Sequence, residues 1–107
     1  MPKFGIAIVG TGMIGAVHRR AALLAGAEIR GVAASSPQRA RDVARSWGVP
    51  RAYRDLEEVV ADPQVQVVHV CTPNHLHRPM AQAALEAGKH VICEKPLATT
   101  LEDAQAL

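Results

Sequence analysis

The chain has 107 residues, 49% apolar and 21% charged, with a formal net charge of +2 at pH 7. That is one domain with room for a core, and its charge is too small to recruit nucleic acid or an acidic membrane surface. One Phe, one Tyr and one Trp leave no basic patch interleaved with aromatics, and no apolar stretch is long enough to span a bilayer.

The opening "MPKFGIAIVGTGMIGAVHRR" has a cation followed by an apolar run, as a signal peptide would. Four glycines interrupt that run, and a strand followed by a turn accounts for each of them better. The protein is therefore expected in the cytoplasm. Residues 3–9, "KFGIAIV", form a nearly continuous apolar run, the pattern of a strand buried on both faces of a parallel sheet. A helix follows over 13–26, where Ile14, Val17, Ala21 and Leu24 recur at helical spacing and Gly26 supplies the stop.

Residues 28–34, "EIRGVAA", read as the second strand. The next helix has Ser36 as N-cap, Pro37 at its first position and Gly48 past its end. "RAYR", 51–54, is a brief third strand. Asp55 caps the helix after it, with Glu58 placed to complete a capping box, and Pro63 ends that helix. "VQVVHVC" over 65–71 is the fourth strand, a helix runs from Arg78 to Gly88, and "HVICE" over 90–94 is the fifth strand. Thr99 with Glu102, or Thr100 with Asp103, opens a further helix.

Strands and helices alternating in this way predict an α/β fold of the Rossmann type, a doubly wound parallel sheet. The expected strand order is 3-2-1-4-5, with right-handed crossovers that set the ligand crevice at the strands' carboxyl ends. The chain reads as a single domain over 1–107, with no repeat and no linker.

Gly10, Gly12 and Gly15 in "VGTGMIG" have G-x-G-x-x-G spacing between the first strand and the first helix. Gly10 permits the tight turn, Gly12 lets a pyrophosphate approach the backbone, and Gly15 lets the helix pack closely on the strand. The helix N-terminus adds unpaired N–H groups and partial positive charge, so Thr11, Met13 and Ile14 join the candidate cofactor contacts. An S-adenosylmethionine site also uses a glycine turn after its first strand, and a turn of this kind without a ligand is the bland alternative.

An NAD-preferring site places Asp or Glu at the end of the second strand. Here that end reads Ala33-Ala34-Ser35-Ser36, with Arg39 in the first turn of the helix. Ser35, Ser36 and Arg39 can together hold a 2′-phosphate, so the balance favours NADP over NAD. The bland alternative makes Ser36 an N-cap alone and Arg39 a solvated cation.

Two further strand ends carry polar groups. Thr72, Pro73 and Asn74 follow the fourth strand, on the nicotinamide half of the expected crevice. His75 and His77 are two apart, but further ligands for a metal are not found, and none is expected. Cys71 and Cys93 show no CxxC spacing and read as small buried apolar residues. The fifth strand ends in Glu94-Lys95-Pro96. Burying that charged pair would cost several kcal/mol, so it is expected to face the crevice, where Lys95 can hydrogen-bond a reacting oxygen. An exposed salt bridge at a turn is the alternative.

The glycine turn, "TPNHLH" and "EAGKHVICEKPLA" together resemble the N-terminal half of the glucose-fructose oxidoreductase / inositol 2-dehydrogenase / rhizopine-catabolism (Gfo/Idh/MocA) family, over essentially the whole chain. The resemblance implies an NAD(P)-dependent oxidoreductase acting on a hydroxyl or carbonyl carbon of a sugar- or cyclitol-like substrate. It assigns Gly10, Gly12 and Gly15 to the pyrophosphate, and Thr72, Pro73 and Asn74 to the cofactor cleft. It places Glu94 on the nicotinamide side and makes Lys95 the catalytic-site lysine. His77 matches a frequent family histidine of that loop. A non-catalytic dinucleotide sensor of the same fold is the rival reading.

Family members are much longer than this chain. Their sixth strand, their second α/β domain and its acid-base histidine have no counterpart here. The resemblance thus implies a fragment that binds nucleotide without turnover, drawn from a full-length protein expected to be a homo-oligomer.

Overall fold

The structure is a computed structural model and describes residues 4–72 and 77–93. Pro73, Asn74, Glu94 and Lys95 lie outside the described residues, as does the helix expected after Thr99. Among the described residues β1 (Gly5–Val9) leads to α1 (Met13–Leu24), β2 (Glu28–Ala33) to α2 (Pro37–Trp47), and β3 (Arg51–Ala52) to α3 (Leu56–Ala61). Then come β4 (Val67–Val70), α4 (His77–Glu86) and β5 (His90–Cys93).

The five strands form one parallel sheet in the order β3-β2-β1-β4-β5, the order expected. β1 lies at its centre and all five of its residues are buried, because both faces of the sheet are covered. One face carries Ala7, Val9, Val68 and Val70 beneath Val59 of α3 and Ala84 of α4. The other carries Ile6, Ile8, Ile29 and Val32 beneath Ala22 of α1 and Val43 and Ala44 of α2.

The helix ends form as their sequences require. Ser36 Oγ accepts the Arg39 N–H at 3.1 Å, and Gly48 closes α2 at φ 68°. Asp55 Oδ1 accepts the Glu58 N–H at 2.9 Å, which is half of the expected capping box. The Glu58 carboxylate pairs instead with Arg54 Nε at 3.2 Å.

β3 stops at Ala52 rather than Arg54, and two further elements differ from expectation. The recurrence of Ile14, Val17, Ala21 and Leu24 marks α1 as helical but is not its buried face: Leu24 is 82% exposed and Val17 58%. The inward positions include Gly15 and Ala22, since small residues let the helix lie close against the sheet. β4 begins at Val67 rather than Val65, because the Val65 N–H is taken by the Asp62 carbonyl at 3.1 Å.

That carbonyl belongs to a buried polar knot at the opposite end of the sheet from the glycine turn. The Asp62 carboxylate accepts from the Tyr53 hydroxyl at 2.8 Å and the Gln64 N–H at 2.9 Å, with Arg51 Nη1 at 3.6 Å. Lys89 Nζ donates to the Asp62 carbonyl at 2.9 Å.

Candidate functional site

β1 ends at Val9, and the chain must reverse at once to enter α1 on the sheet's face. Gly10 makes that turn at φ 99°, a conformation that side-chain-bearing residues rarely adopt. Its N–H donates to the Ala33 carbonyl at 2.8 Å, tying the turn to the end of β2. The space beside Gly10 is closed on the β4 side, where a Cβ would lie 2.6 Å from the Cys71 carbonyl and 2.9 Å from the Thr72 nitrogen. Gly15 faces the Gly10 carbonyl, and a Cβ there would run into that oxygen. Gly12 differs. Its φ is an ordinary −73°, and a Cβ would meet nothing within 4 Å.

Gly12 is also the N-cap of α1, and no side chain caps that helix end. The first-turn N–H groups are thereby left for an anion, and no acidic residue in the first turn competes for them. Open space at Gly12 and an uncapped N-terminus behind it fit a pyrophosphate.

An open cleft of about 1090 Å³ runs along the carboxyl ends of β1, β2 and β4. Gly10, Thr11, Gly12 and Ile14 line its centre, Ala34, Ser35 and Arg39 one end, and Cys71 and Thr72 the other. The cleft thus gathers most of the predicted cofactor residues that the structure describes. Ser36 is committed to capping α2. Met13 begins α1 and His77 begins α4.

Other lining residues were not foreseen. Arg54, Asp55 and Leu56 follow β3, whose carboxyl end abuts that of β2 because the two strands pair. Arg54 therefore stands in the wall that also holds Arg39. The Asp55 carboxylate is turned to the start of α3, where it caps the helix. Met80 of α4 lines the cleft as well, and Thr72 Oγ1 donates to its sulfur at 3.4 Å. The predicted strand order contained the signal for Arg54, since it makes the ends of β2 and β3 neighbours.

The arrangement has an uncapped, glycine-walled helix N-terminus at its centre, Arg39 and the Glu58-paired Arg54 at one end, and apolar side chains from Leu56 and Met80. It suits an elongated ligand with an anionic middle. Among the described residues no three His, Cys, Asp or Glu side chains converge as metal ligands, and no helix is long and apolar enough to cross a membrane.

Comparison with known proteins points the same way. A family model described as an oxidoreductase family with an NAD-binding Rossmann fold, Gfo/Idh/MocA, matches residues 4–107. Levoglucosan dehydrogenase of Pseudarthrobacter phenanthrenivorans is 46% identical over 76 residues, covering 71% of this chain and 20% of that protein. Myo-inositol 2-dehydrogenase of Thermotoga maritima is 34% identical over 99 residues, covering 92% of this chain and 30% of that protein. A solved levoglucosan dehydrogenase in complex with NADH and levoglucosan superposes with a TM-score of 0.89 at 36% identity, over 98% of this chain and 31% of that one. The chain thus spans under a third of the length of these relatives.

Proposed function

The chain belongs to the Gfo/Idh/MocA oxidoreductase family, matched over its NAD-binding Rossmann domain, and on that premise we propose that its cleft binds NAD(P) for hydride transfer. The other reactant is a hydroxyl or carbonyl carbon of a sugar- or cyclitol-like substrate. The observation that carries this reading is the uncapped α1 N-terminus behind Gly12, open to the cleft and free of acidic residues. Relatives named as levoglucosan and inositol dehydrogenases support the substrate class. We further propose that the working protein is a cytoplasmic homo-oligomer that engages neither nucleic acid nor membrane.

When bound, the nicotinamide accepts or supplies the hydride. The protein's part is to hold and orient. Gly10, Gly12, Gly15 and the N–H groups around Thr11, Met13 and Ile14 take the pyrophosphate, and Thr72, Pro73, Asn74, His77 and Glu94 border the nicotinamide half. Lys95 stands beside the substrate oxygen and stabilises charge as the carbon changes oxidation state. The 107-residue chain itself binds nucleotide without turnover. Calorimetric titration with NADH, NADPH and S-adenosylmethionine tests the reading: heat from a nicotinamide cofactor supports it, and heat only from S-adenosylmethionine rejects it.

The cleft's cationic end favours NADP. Ser35, Arg39 and Arg54 line the end of the cleft where an NAD site carries an acid; the Arg54 guanidinium is shared with the Glu58 carboxylate, and the nearby Asp55 carboxylate is engaged in its cap. Arg39→Ala and Arg54→Ala are each expected to weaken NADPH about five- to tenfold, the worth of one partly exposed charged contact, and to leave NADH within about twofold. Equal losses for both cofactors would discard the preference while keeping the cofactor class.

Lys95→Ala tests the chemistry when the domain is joined to the rest of a family-length protein. It should lower kcat by about 10²- to 10⁴-fold, the usual span for a lost acid-base or charge-stabilising group. Cofactor affinity should stay within about twofold. An unchanged kcat rejects Lys95 as a catalytic residue.

A further inference from the structure

Behind the glycine turn, on the α1 face of the sheet, two histidine rings meet edge to face. His18 Nδ1 of α1 and His69 Nδ1 of β4 are 2.9 Å apart, with ring centroids separated by 5.2 Å and planes at 88°. His69 sits opposite Ile8 of β1 and is 6% exposed. Burial, with the His18 ring acting in the same direction, holds its pKa at about 4, so the ring is neutral at neutral pH. The short contact needs one nitrogen to donate and the other to accept, so it holds one proton.

His69 Nε2 is buried and has no hydrogen-bond partner among the described residues. Whichever tautomer His69 adopts, that atom keeps an unused N–H or an unused lone pair away from water. Such a group is unfavourable, and every other residue of β4 is valine. A position that only had to fill the core would be better served by one more apolar side chain.

What the histidine adds is direction. The inward positions of α1 include Gly15 and Ala22, small residues with little relief to stop the helix sliding along the sheet. The His18–His69 bond supplies a fixed point. His18 is three residues beyond Gly15 in α1, and His69 is three residues before Thr72 on the opposite wall. The bond therefore joins the helix whose N-terminus faces the pyrophosphate to the strand that delivers the nicotinamide side of the cleft.

We infer that His69 is a positioning residue for the dinucleotide, setting, through His18, the spacing between the N-terminus of α1 and the Thr72 wall. The inference rests on the cofactor reading proposed above. Its test uses His69→Leu and His69→Asn, the latter because an asparagine amide can reach the place of the imidazole Nδ1. Dissociation constants are measured for NADH, for ADP-ribose, which carries the pyrophosphate, and for 5′-AMP, whose single phosphate does not cross the turn. Thermal unfolding is followed in parallel.

His69→Leu should unfold at a temperature no lower than the parent. It should bind NADH and ADP-ribose about tenfold more weakly with 5′-AMP unchanged within about twofold, and His69→Asn should recover most of that loss. Wild-type affinity for NADH in His69→Leu overturns the inference, as does equal weakening of all three ligands or failure of His69→Asn to recover binding. Should His69→Leu not fold, His18→Leu decides by the same ligand comparison. If the parent chain binds neither NADH nor ADP-ribose, the cofactor reading falls and takes this inference with it.

Discussion

Gly12→Ala is expected to fold like the parent chain and to bind NADH or NADPH at least about 100-fold more weakly, whereas Gly10→Ala is expected to lose about 3 kcal/mol or more of stability. The two glycines lie two residues apart in one turn, and their surroundings are opposite. At Gly12 the backbone is one that alanine adopts freely, and the added methyl meets no protein atom within 4 Å. Alanine is a poorer N-cap than glycine, so a change within about 1 kcal/mol is allowed. The methyl would stand only where the proposed pyrophosphate would come close.

At Gly10 the φ of 99° already costs alanine roughly 1–2 kcal/mol. The methyl then meets the Cys71 carbonyl at 2.6 Å and the Thr72 nitrogen at 2.9 Å. Both are backbone atoms of the neighbouring strand's exit, so neither can rotate away. The check is a pair of measurements on each variant, urea unfolding and calorimetric titration. Binding kept in Gly12→Ala would mean that the pyrophosphate does not cross this turn, however well the turn matches the motif.

The contrast between these glycines shows how far a sequence alone can be read. Spacing identified all three as one motif, because strand, turn and helix are local and each leaves a local mark. Strand order was legible for a similar reason, since alternation with right-handed crossovers leaves few ways to lay the strands down. The motif assigned Gly10 and Gly15 to the fold and Gly12 to the ligand, but spacing did not show what enforces that division. That depends on the Cys71 carbonyl, 61 residues away in the chain, standing behind Gly10 and on nothing standing behind Gly12.

The unforeseen residues share this non-local character. Arg54 enters the cleft because β3 pairs with β2, and Met80 because α4 leans over the end of β4. His69 looked like one more place in an apolar strand until folding brought α1 across it. On α1, periodicity located the helix correctly yet pointed to its outward face. The sequence pattern weights large side chains, whereas a helix lying close to a sheet turns its smallest residues inward.

Asp62→Ala is expected to cost about 3 kcal/mol, and the loss should depend on pH in a way that identifies the charge as the cause. The carboxylate is nearly sealed from solvent and satisfies the buried Tyr53 hydroxyl and the Gln64 N–H. Removing it leaves two donors short of a partner, each worth about 1–3 kcal/mol when buried. For a domain whose whole stability is on the order of 5–15 kcal/mol, that is a large share. Burial alone would raise the Asp62 pKa. The Gln64 N–H, the Tyr53 hydroxyl and the nearby Arg51 and Lys89 charges outweigh it and hold the carboxyl below its ordinary value. A folded pKa below the unfolded one means that the unfolded chain binds the proton more readily. The stabilisation is therefore complete above the ordinary carboxyl pKa of about 3.9 and is lost as pH falls through the lower folded value. Asp62→Asn keeps an acceptor for Tyr53 or Gln64 but has no charge to titrate. It should be less stable than the parent at pH 7, by about 2 kcal/mol, with the gap narrowing as pH falls below the ordinary carboxyl range, where the unfolded parent takes up a proton that the folded carboxylate still resists. Urea midpoints for parent, Asp62→Asn and Tyr53→Phe at pH 7 and pH 3, closed into a double-mutant cycle, measure the hydroxyl–carboxylate coupling directly. A gap that stays constant between pH 7 and pH 3 would show that the knot is held by its hydrogen bonds alone, with the buried charge adding nothing.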